Sequence, residues 1–208
     1  MAGAEQQPQK PESRWQRLWH KPRRRWMLGI PVGGFLLFGV GIIAWAGFDA
    51  TLHYTNSFAF CTSCHEMKDS ILPEYVNSVH GKNAAGVRAI CSDCHVPRAF
   101  IPKMGAKMAA TVNELPKWAF GTLRPKEKFE AARVEMAHGV LAKMKANDSR
   151  ECRGCHSIES MDKELQDPSA VKKHDVARMK ERGETCVDCH QGVGHELPKG
   201  FTDSAASE

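Results

Sequence analysis

The chain has 208 residues, which is enough for one folded domain and a short additional segment. Its formal net charge is +5, but residues 1–26 alone carry seven basic and two acidic side chains, so the remainder is formally neutral. A nucleic-acid-binding domain presents a basic surface on its folded part, and this charge distribution therefore excludes a nucleic-acid partner.

An uncharged apolar segment follows the basic residues, at 27–48. Its 22 residues suffice for a membrane-spanning helix, which needs about 20. A cleaved signal peptide is the alternative, because Ala44-Trp45-Ala46 resembles a cleavage site, but apolar regions of signal peptides run about 7–15 residues. The segment is predicted to be an uncleaved, single-pass anchor in the inner membrane. The basic flank at 1–26 predicts a cytoplasmic N-terminus, with everything after the anchor in the periplasm.

All eight cysteines belong to four Cys-x-x-Cys-His motifs, the attachment signature of haem c. The two sulfurs bond to the porphyrin and the histidine is placed to ligate iron. A zinc ribbon needs cysteine pairs about 15–20 residues apart, whereas 26 residues separate the first two pairs here. Neither zinc nor disulfides explain a histidine after every pair. The motifs are Cys61/Cys64/His65, Cys91/Cys94/His95, Cys152/Cys155/His156 and Cys186/Cys189/His190.

The spacing of the motifs indicates a duplication. Their first cysteines are 30, 61 and 34 residues apart, and the second motif of each pair contains an aspartate. We predict a mainly α protein, with one N-terminal transmembrane helix and a small helix-and-loop multihaem domain built from two two-haem modules. The predicted segments are a cytoplasmic tail at 1–26, the anchor at 27–48, modules at 49–124 and 125–200, and a flexible tail at 201–208.

Three further helices are predicted in these modules. Residues 102–115 form the first, ended by Pro116. Residues 125–147 form the second, opened by Pro125 and carrying one apolar stripe. Residues 169–182 form the third, with Ser169 as N-cap and Gly183 beyond its end.

Histidines outside the motifs are candidates for the second axial ligand of each iron. His80 and His174 lie 11 residues before the second motif and 12 before the fourth, so both are predicted to be distal ligands. His195 lies too close in sequence to His190 to reach back easily to the same iron, but it could serve another haem. His53 and His138 are predicted to be ordinary surface or packing residues.

Met67 directly follows the first motif in CTSCHEM. Methionine is an axial haem ligand in some cytochromes, but it is also a common filler of protein cores. The residues alone leave both roles open.

Taken together, the motifs resemble the NapC/NirT family of membrane-anchored tetrahaem quinol dehydrogenases, most closely its NapC branch. The resemblance covers residues from about 15 to 200. It rests on the anchor, the four motifs and the segments EYVNSVH, GVRAICSDCHVP, FIPKM, KFEAARVEMA, ECRGCHSIESMD, KKHDVA and TCVDCHQGVGHELP.

This resemblance implies a ligand set. Met67 would ligate the first haem, with His65 as the fallback. His95 would pair with His195, His156 with His80, and His190 with His174. Lys103 in FIPKM would correspond to the family's quinol-site lysine; an ordinary solvated or lipid-facing lysine is the alternative. Two positions depart from the family pattern: Ala110 replaces an acidic residue, for which Glu114 is a weak substitute, and Arg98 replaces a histidine.

The resemblance also implies the function. Four covalently bound haem c groups would carry electrons from membrane quinol to a periplasmic reductase complex, with nitrate reductase as the expected recipient. The expected activity is that of a quinol-oxidising electron-transfer subunit rather than a stand-alone reductase. A donor to a nitrite or other reductase, or a terminal multihaem reductase, are the alternatives. A haem-based sensor is disfavoured because the N-terminal segment is too short for an output domain.

Overall fold

The computed structural model describes residues 13–19 and 32–202, in two compact units, Met1–Tyr54 and Thr55–Glu208. The first unit contains helix α1, Arg14–Trp19, and helix α2, Val32–Tyr54. Within α2, Gly33–Tyr54 is long and apolar enough to cross a membrane. Most of the predicted basic tail, the start of the predicted anchor at 27–31 and the predicted tail at 203–208 lie outside the described residues.

The second unit consists of helices and connecting loops. No strand occurs among the residues that the structure describes, so the prediction of a mainly α protein is confirmed. A π-helical turn, Met67–Ile71, and a 3₁₀ turn, Ile158–Ser160, accompany the α-helices. These are α3 Phe58–Cys61, α4 Leu72–Val76, α5 Cys91–His95, α6 Phe100–Ala119, α7 Lys126–Ala146, α8 Arg150–Arg153, α9 Pro168–Lys173, α10 Val176–Arg182 and α11 Cys186–Cys189.

The predicted helix boundaries hold for some helices and fail for others. Helix α7 runs from Lys126 to Ala146 with Pro125 and Asn147 as its caps, so each end lies within one residue of the prediction. The predicted stop of α6 at Pro116 is wrong: the helix continues to Ala119, because one proline removes a single backbone donor without ending the helix. The helix predicted at 169–182 is two helices, α9 and α10.

The break between α9 and α10 has a local cause. The side chain of Asp175 accepts a hydrogen bond from the backbone N–H of Arg178, so it caps a new helix. The N-cap of α9 is Asp167 rather than the predicted Ser169. Gly183 ends α10 in the left-handed conformation (φ 63°), as its position predicts.

The α3–α5 region is held by contacts around Tyr75, a buried residue. Its hydroxyl donates to the Ala89 carbonyl at 2.6 Å, and its ring lies 5.5 Å from that of Phe58. The turn after His80 closes against the same residue, because a side chain at Gly81 would collide with the Tyr75 carbonyl oxygen. Only glycine fits there, and the turn thereby fixes the position of His80.

A buried ion-pair cluster around Arg133 connects distant parts of the chain. Arg133 on α7 donates two hydrogen bonds to Glu74 on α4, both at 2.8 Å. It also donates to Glu130 at 3.0 Å and to the backbone carbonyl of Glu196 at 3.0 Å. Glu196 directly follows His195, so this cluster links α4 and α7 to the loop that carries a predicted ligand.

Candidate haem centres

The second and fourth motifs have the same local structure. Asp93 accepts a hydrogen bond from the backbone N–H of Ile90 at 2.8 Å, and Asp188 accepts from that of Thr185 at 2.7 Å. Each aspartate therefore caps the short helix that begins at the first cysteine of its motif, α5 or α11. The aspartate shared by the two motifs thus has a structural role. The division into two modules stays a prediction.

The third and fourth motifs are joined by hydrogen bonds. The backbone N–H of Val187 donates to the hydroxyl of Ser149, which precedes α8 and is fully buried. Lys145 on α7 donates to Asp188 at 2.7 Å. Burial raises the pKa of Asp188, but its hydrogen bonds from Lys145 and Thr185 outweigh this effect and leave that pKa below its ordinary value.

The eight cysteines predicted to attach haem all lie among the described residues, and none of them forms a disulfide. Cys61 and Cys91 share a hydrogen bond, which raises the pKa of Cys61 and lowers that of Cys91 to about 7. The first and second motifs therefore meet at their first cysteines. Two cysteines are exposed, Cys155 and Cys189, and six are half-buried, namely Cys61, Cys64, Cys91, Cys94, Cys152 and Cys186. Covalent attachment of haem to these thiols stays a prediction.

Cys64 differs from its counterparts in the second and fourth motifs. It lies in a bend between α3 and the π-helical turn, whereas Cys94 and Cys189 lie inside α5 and α11. The first motif has Ser63 where the other two have their capping aspartate, and its helix ends at Cys61 instead of beginning there. The local structure of the second and fourth motifs therefore does not extend to Cys64. Its predicted role in haem attachment rests on the motif alone.

Three motif histidines each face a histidine from a distant part of the chain. The ring centroids are 6.2 Å apart for His95 and His195, 6.1 Å for His80 and His156, and 5.9 Å for His174 and His190. These are the same three pairs that the family resemblance implies. Two of the pairs connect residues before position 124 with residues after it.

The spacing of these rings fits a metal ion between them. Metal–nitrogen bonds of about 2 Å on both sides, with about 1 Å from each nitrogen to its ring centre, separate two ring centroids by about 6 Å. The three pairs therefore have the chemistry and the separation that two axial imidazole ligands of a haem iron require.

Hydrogen bonds orient the distal histidines of these pairs. Nδ1 of His80 donates to the Val193 carbonyl at 3.0 Å, and Nδ1 of His174 donates to the side-chain oxygen of Gln166 at 2.8 Å. A longer contact of 3.4 Å joins Nδ1 of His195 to the Glu196 carbonyl. Since Nδ1 carries the proton, Nε2 is left with the lone pair that a metal ligand needs.

The surroundings of His95 favour the neutral form that can bind a metal. More than a third of its surface is open, yet protein atoms surround the ring at longer range. This burial, together with the smaller effect of the neighbouring His195, lowers the pKa of His95 to about 4. An imidazole with this pKa is uncharged at neutral pH.

A cavity of about 1010 Å³ lies beside His174. Val171 and Ala177 contribute apolar surface to its lining, and four basic side chains outnumber the acidic Asp175 and Glu181 there. The basic residues are Lys163, Lys172, Arg178 and Arg182. A porphyrin carries two propionates on an apolar plate, so both the size and the charge of this lining suit it.

The histidine of the first motif has surroundings unlike those of the other three. Nε2 of His65 lies 3.0 Å from a carboxylate oxygen of Glu66, and its Nδ1 lies 3.4 Å from Arg124. Met67 opens the π-helical turn Met67–Ile71, a backbone form that is frequent at functional sites. His65 thus has charged neighbours rather than a second imidazole, which agrees with a different ligand set at this motif. The choice between Met67 and His65 stays a prediction.

Lys103 lies near the start of α6, one helical turn before Lys107. Lys107 donates to Thr55 at 2.7 Å. Burial lowers the pKa of Lys107; the nearby Cys61 opposes this shift and Lys103 adds to it. Lys107 is therefore close to the first motif, and Lys103 is close to Lys107. No motif marks Lys107 in the sequence, although its spacing of four residues from Lys103 places the two on one helix face.

Glu114 does not lie near Lys103. It is 11 residues further along α6, about 16 Å along the helix axis, and it pairs with Lys117 at 3.5 Å. It is therefore not positioned as the acidic partner of Lys103. His138, predicted to be a packing residue, stacks on Phe201 with ring centroids 4.5 Å apart.

Comparison with known proteins identifies the family. Residues 23–200 match the family model described as "NapC/NirT cytochrome c family, N-terminal region". The chain belongs to this family. Its members include the denitrification system component NirT of Stutzerimonas stutzeri, which is 46% identical over 188 residues, covering 89% of this chain and 90% of that protein.

Two further relatives are similar over most of their length. The cytochrome c-type protein NapC of Escherichia coli (strain K12) is 45% identical, over 86% of this chain and 87% of NapC. A putative tetraheme cytochrome-c type protein of Allochromatium vinosum is 41% identical, over 79% and 87%. No solved structure gives a significant match. The chain is thus a membrane-anchored cytochrome c that serves electron transfer from membrane quinol to periplasmic reductases.

Arg98, one of the departures from the family pattern, connects the second and third motifs. It donates to the Gly154 carbonyl at 3.1 Å and to the sulfur of Cys155 at 3.2 Å. A Cβ at position 154 would lie 2.9 Å from the nearest nitrogen of the Arg98 guanidinium, which would have to shift. Gly154 therefore leaves room for a positive charge at the third attachment site.

We expect Arg98→Gln to lower the reduction potential of the haem attached at the third motif, because a nearby positive charge favours the more electron-rich state. Spectroelectrochemical titration of the four haems measures this shift. Arg98→Lys, which keeps the charge, should retain most of the original potential. An unchanged titration of Arg98→Gln would show that this charge does not act on the haem.

Proposed function

We propose that this chain oxidises membrane quinol and delivers the electrons, through four covalently bound haem c groups, to periplasmic nitrate reductase. The observation that carries this proposal is the set of three histidine pairs with centroids about 6 Å apart. Closed axial positions suit electron transfer, whereas a terminal reductase needs an open position for its substrate. The pairs therefore disfavour a terminal reductase.

The proposed roles of the residues follow from this arrangement. The cysteines of the four motifs hold the haems covalently, and haem c supplies one-electron redox chemistry when bound. His95, His156 and His190 would hold the haem irons from the motifs, and His195, His80 and His174 would be their second ligands. Hydrogen bonds from Nδ1 keep these last three rings in place. Met67, or His65 in its absence, completes the first site.

Quinol oxidation is proposed to take place beside the first motif. Quinol releases two protons and two electrons as it becomes quinone. The ammonium group of Lys103 is proposed to donate a hydrogen bond to a quinol oxygen, and the closeness of Lys107, one helical turn further along, to Cys61 supports this location. The electrons leave one at a time through the motifs. With the N-terminus in the cytoplasm and the haem domain on the periplasmic side of the inner membrane, the protons go to the periplasm.

We expect Lys103→Ala to slow reduction of the purified protein by a menaquinol or ubiquinol analogue by about 10- to 100-fold. A hydrogen bond to a charged group contributes about 1.5–3 kcal/mol, which corresponds to this factor. Stopped-flow absorbance of the haems measures the rate. Lys117→Ala, on the same helix but exposed, serves as the matched control. Equal rates for Lys103→Ala and the unmodified protein would remove Lys103 from the proposed site.

The identity of the reductase requires a separate experiment. The NapC-like sequence favours nitrate reductase, but the NirT relative, a denitrification system component, has nearly the same identity. A reductase of that system, such as a nitrite reductase, is therefore the second candidate. The pre-reduced protein should be oxidised rapidly by periplasmic nitrate reductase with nitrate and slowly by nitrite reductase with nitrite. The reverse order would replace nitrate reductase with the second candidate.

A further inference from the structure

Helix α6 has an outward apolar face. Ile101, Met108, Val112 and Leu115 recur at spacings of seven, four and three residues, which places them on one side of the helix. Each is between 54% and 76% exposed. An isolated exposed apolar residue is ordinary, but a contiguous stripe of them marks a surface for a lipid or a partner.

Two lysines in the first half of α6 face the domain instead. Lys103 and Lys107 lie about half a turn around the helix from the apolar stripe and are both only partly exposed. Lys107 bonds to Thr55 and lies close to Cys61. The orientation is the reverse of that in a helix packed on a soluble core. The stripe thus lies on the side of the helix away from Lys107, the residue that is close to Cys61.

A contact between α6 and the end of the candidate membrane span indicates what lies against the apolar stripe. Thr55 directly follows Tyr54, the last residue of the candidate membrane span Gly33–Tyr54. A hydrogen bond of 2.7 Å therefore ties α6 to the residue at which the chain leaves the span. The occupant that this connection favours is membrane lipid.

We propose that α6 lies in the membrane interface, with Ile101, Met108, Val112 and Leu115 inserted among lipid acyl chains. Trp118, about half exposed near the end of the helix, has the amphipathic ring that prefers the headgroup level. The helix is a second membrane contact, additional to the anchor, of the kind that amphipathic interfacial helices make. The proposed quinol site also lies on α6, at Lys103, but the apolar stripe is a separate observation, and lipid contact is measured without quinol oxidation.

Photolabelling from within the bilayer tests this contact. The full-length, haem-loaded protein is placed in phosphatidylcholine–phosphatidylglycerol nanodiscs that contain a phospholipid with a diazirine on its acyl chain. After illumination, we expect label on peptides from α2 and on the stripe of α6. Leu165 is 86% exposed and equally apolar, but it lies outside α6, so its peptide is the internal control. Labelling of α6 no stronger than that of the Leu165 peptide would overturn the proposal.

A pair of variants separates lipid contact from other occupants. Val112→Asp should lose labelling of α6 and retain that of α2, while Leu165→Asp should leave both unchanged. The haem spectrum and the mass of the particle verify folding and a single copy per disc. If the unmodified protein showed no label on α6 and Val112→Asp instead dissociated a dimer, the stripe would be an interface between two copies, and the membrane proposal would be wrong.

Discussion

Replacement of Arg133 by alanine is expected to destabilise the haem domain by about 3–5 kcal/mol. The Arg133 side chain is only 8% exposed, and it bonds to Glu74, Glu130 and the Glu196 carbonyl. Its removal leaves Glu74 as a largely buried carboxylate without its bidentate partner. An uncompensated buried charge, rather than the lost attraction itself, is the main cost of such a change.

The consequence should reach the second haem site. Arg133 holds the carbonyl of Glu196, and Nδ1 of His195 lies 4.0 Å from Glu74. Loss of the cluster therefore releases the loop that presents His195 to His95. We expect a perturbed axial-ligand spectrum in Arg133→Ala at temperatures below unfolding, in addition to the lower stability.

Thermal denaturation followed by haem absorbance measures the effect. For a domain of this size, 3–5 kcal/mol corresponds to a decrease in melting temperature of about 6–20 °C. Lys117→Ala is the matched control, because Lys117 also pairs with a glutamate three residues earlier but is 46% exposed. An exposed pair contributes about 1 kcal/mol or less. Equal decreases in melting temperature for the two variants would show that burial does not make the Arg133 ion pairs more stabilising than an exposed pair.

The helices could be predicted where the signal is local. Pro125 and Asn147 bound α7, and Gly183 ends α10, because proline and glycine act on the backbone at their own positions. The break after His174 was missed because Asp175 caps a new helix inside a segment whose pattern is helical throughout. The extension of α6 past Pro116 was missed because the rest of the helix can tolerate one lost hydrogen bond.

The candidate site, like the helices, could be predicted from the sequence only where the signal is local. The cysteines and motif histidines are adjacent in sequence, so their chemistry was evident from the sequence. The pairing of distant histidines came only from the family resemblance, since spacing does not reveal which loops meet. The Val193 carbonyl behind His80, the Gln166 side chain behind His174 and the Arg133 cluster depend on contacts between residues far apart or without a motif. No sequence pattern predicts such contacts.

Replacement of a distal histidine is expected to convert one of the four haems from low spin to high spin. His80→Ala, His174→Ala and His195→Ala each remove one ring of a pair and leave the motif histidine as the only axial imidazole. A five-coordinate iron then binds small ligands such as cyanide, which a closed site excludes. Electron paramagnetic resonance and cyanide titration measure the change.

His138→Ala is the matched control for these three variants. His138 is also a histidine outside the motifs, but it stacks on Phe201, so its replacement should alter no haem spectrum. A milder change, Gln166→Leu, removes only the hydrogen bond to His174. Supporting groups of this kind contribute about 10- to 100-fold to metal affinity or activity. We therefore expect His174 to remain bound but the potential of its haem to shift.

The same measurement identifies the axial ligand of the haem at the first motif. If Met67 is the ligand, Met67→Ala changes the spin state or lowers the potential of one haem, because a methionine ligand raises the potential, while His65→Ala does neither. If His65 is the ligand, the outcomes are exchanged. Should all three distal variants stay low spin, the facing rings would be neighbours in a folded core rather than ligands. The proposal that the haems serve electron transfer with both axial positions filled would then lose its main support, because it requires an iron between the two rings of each pair.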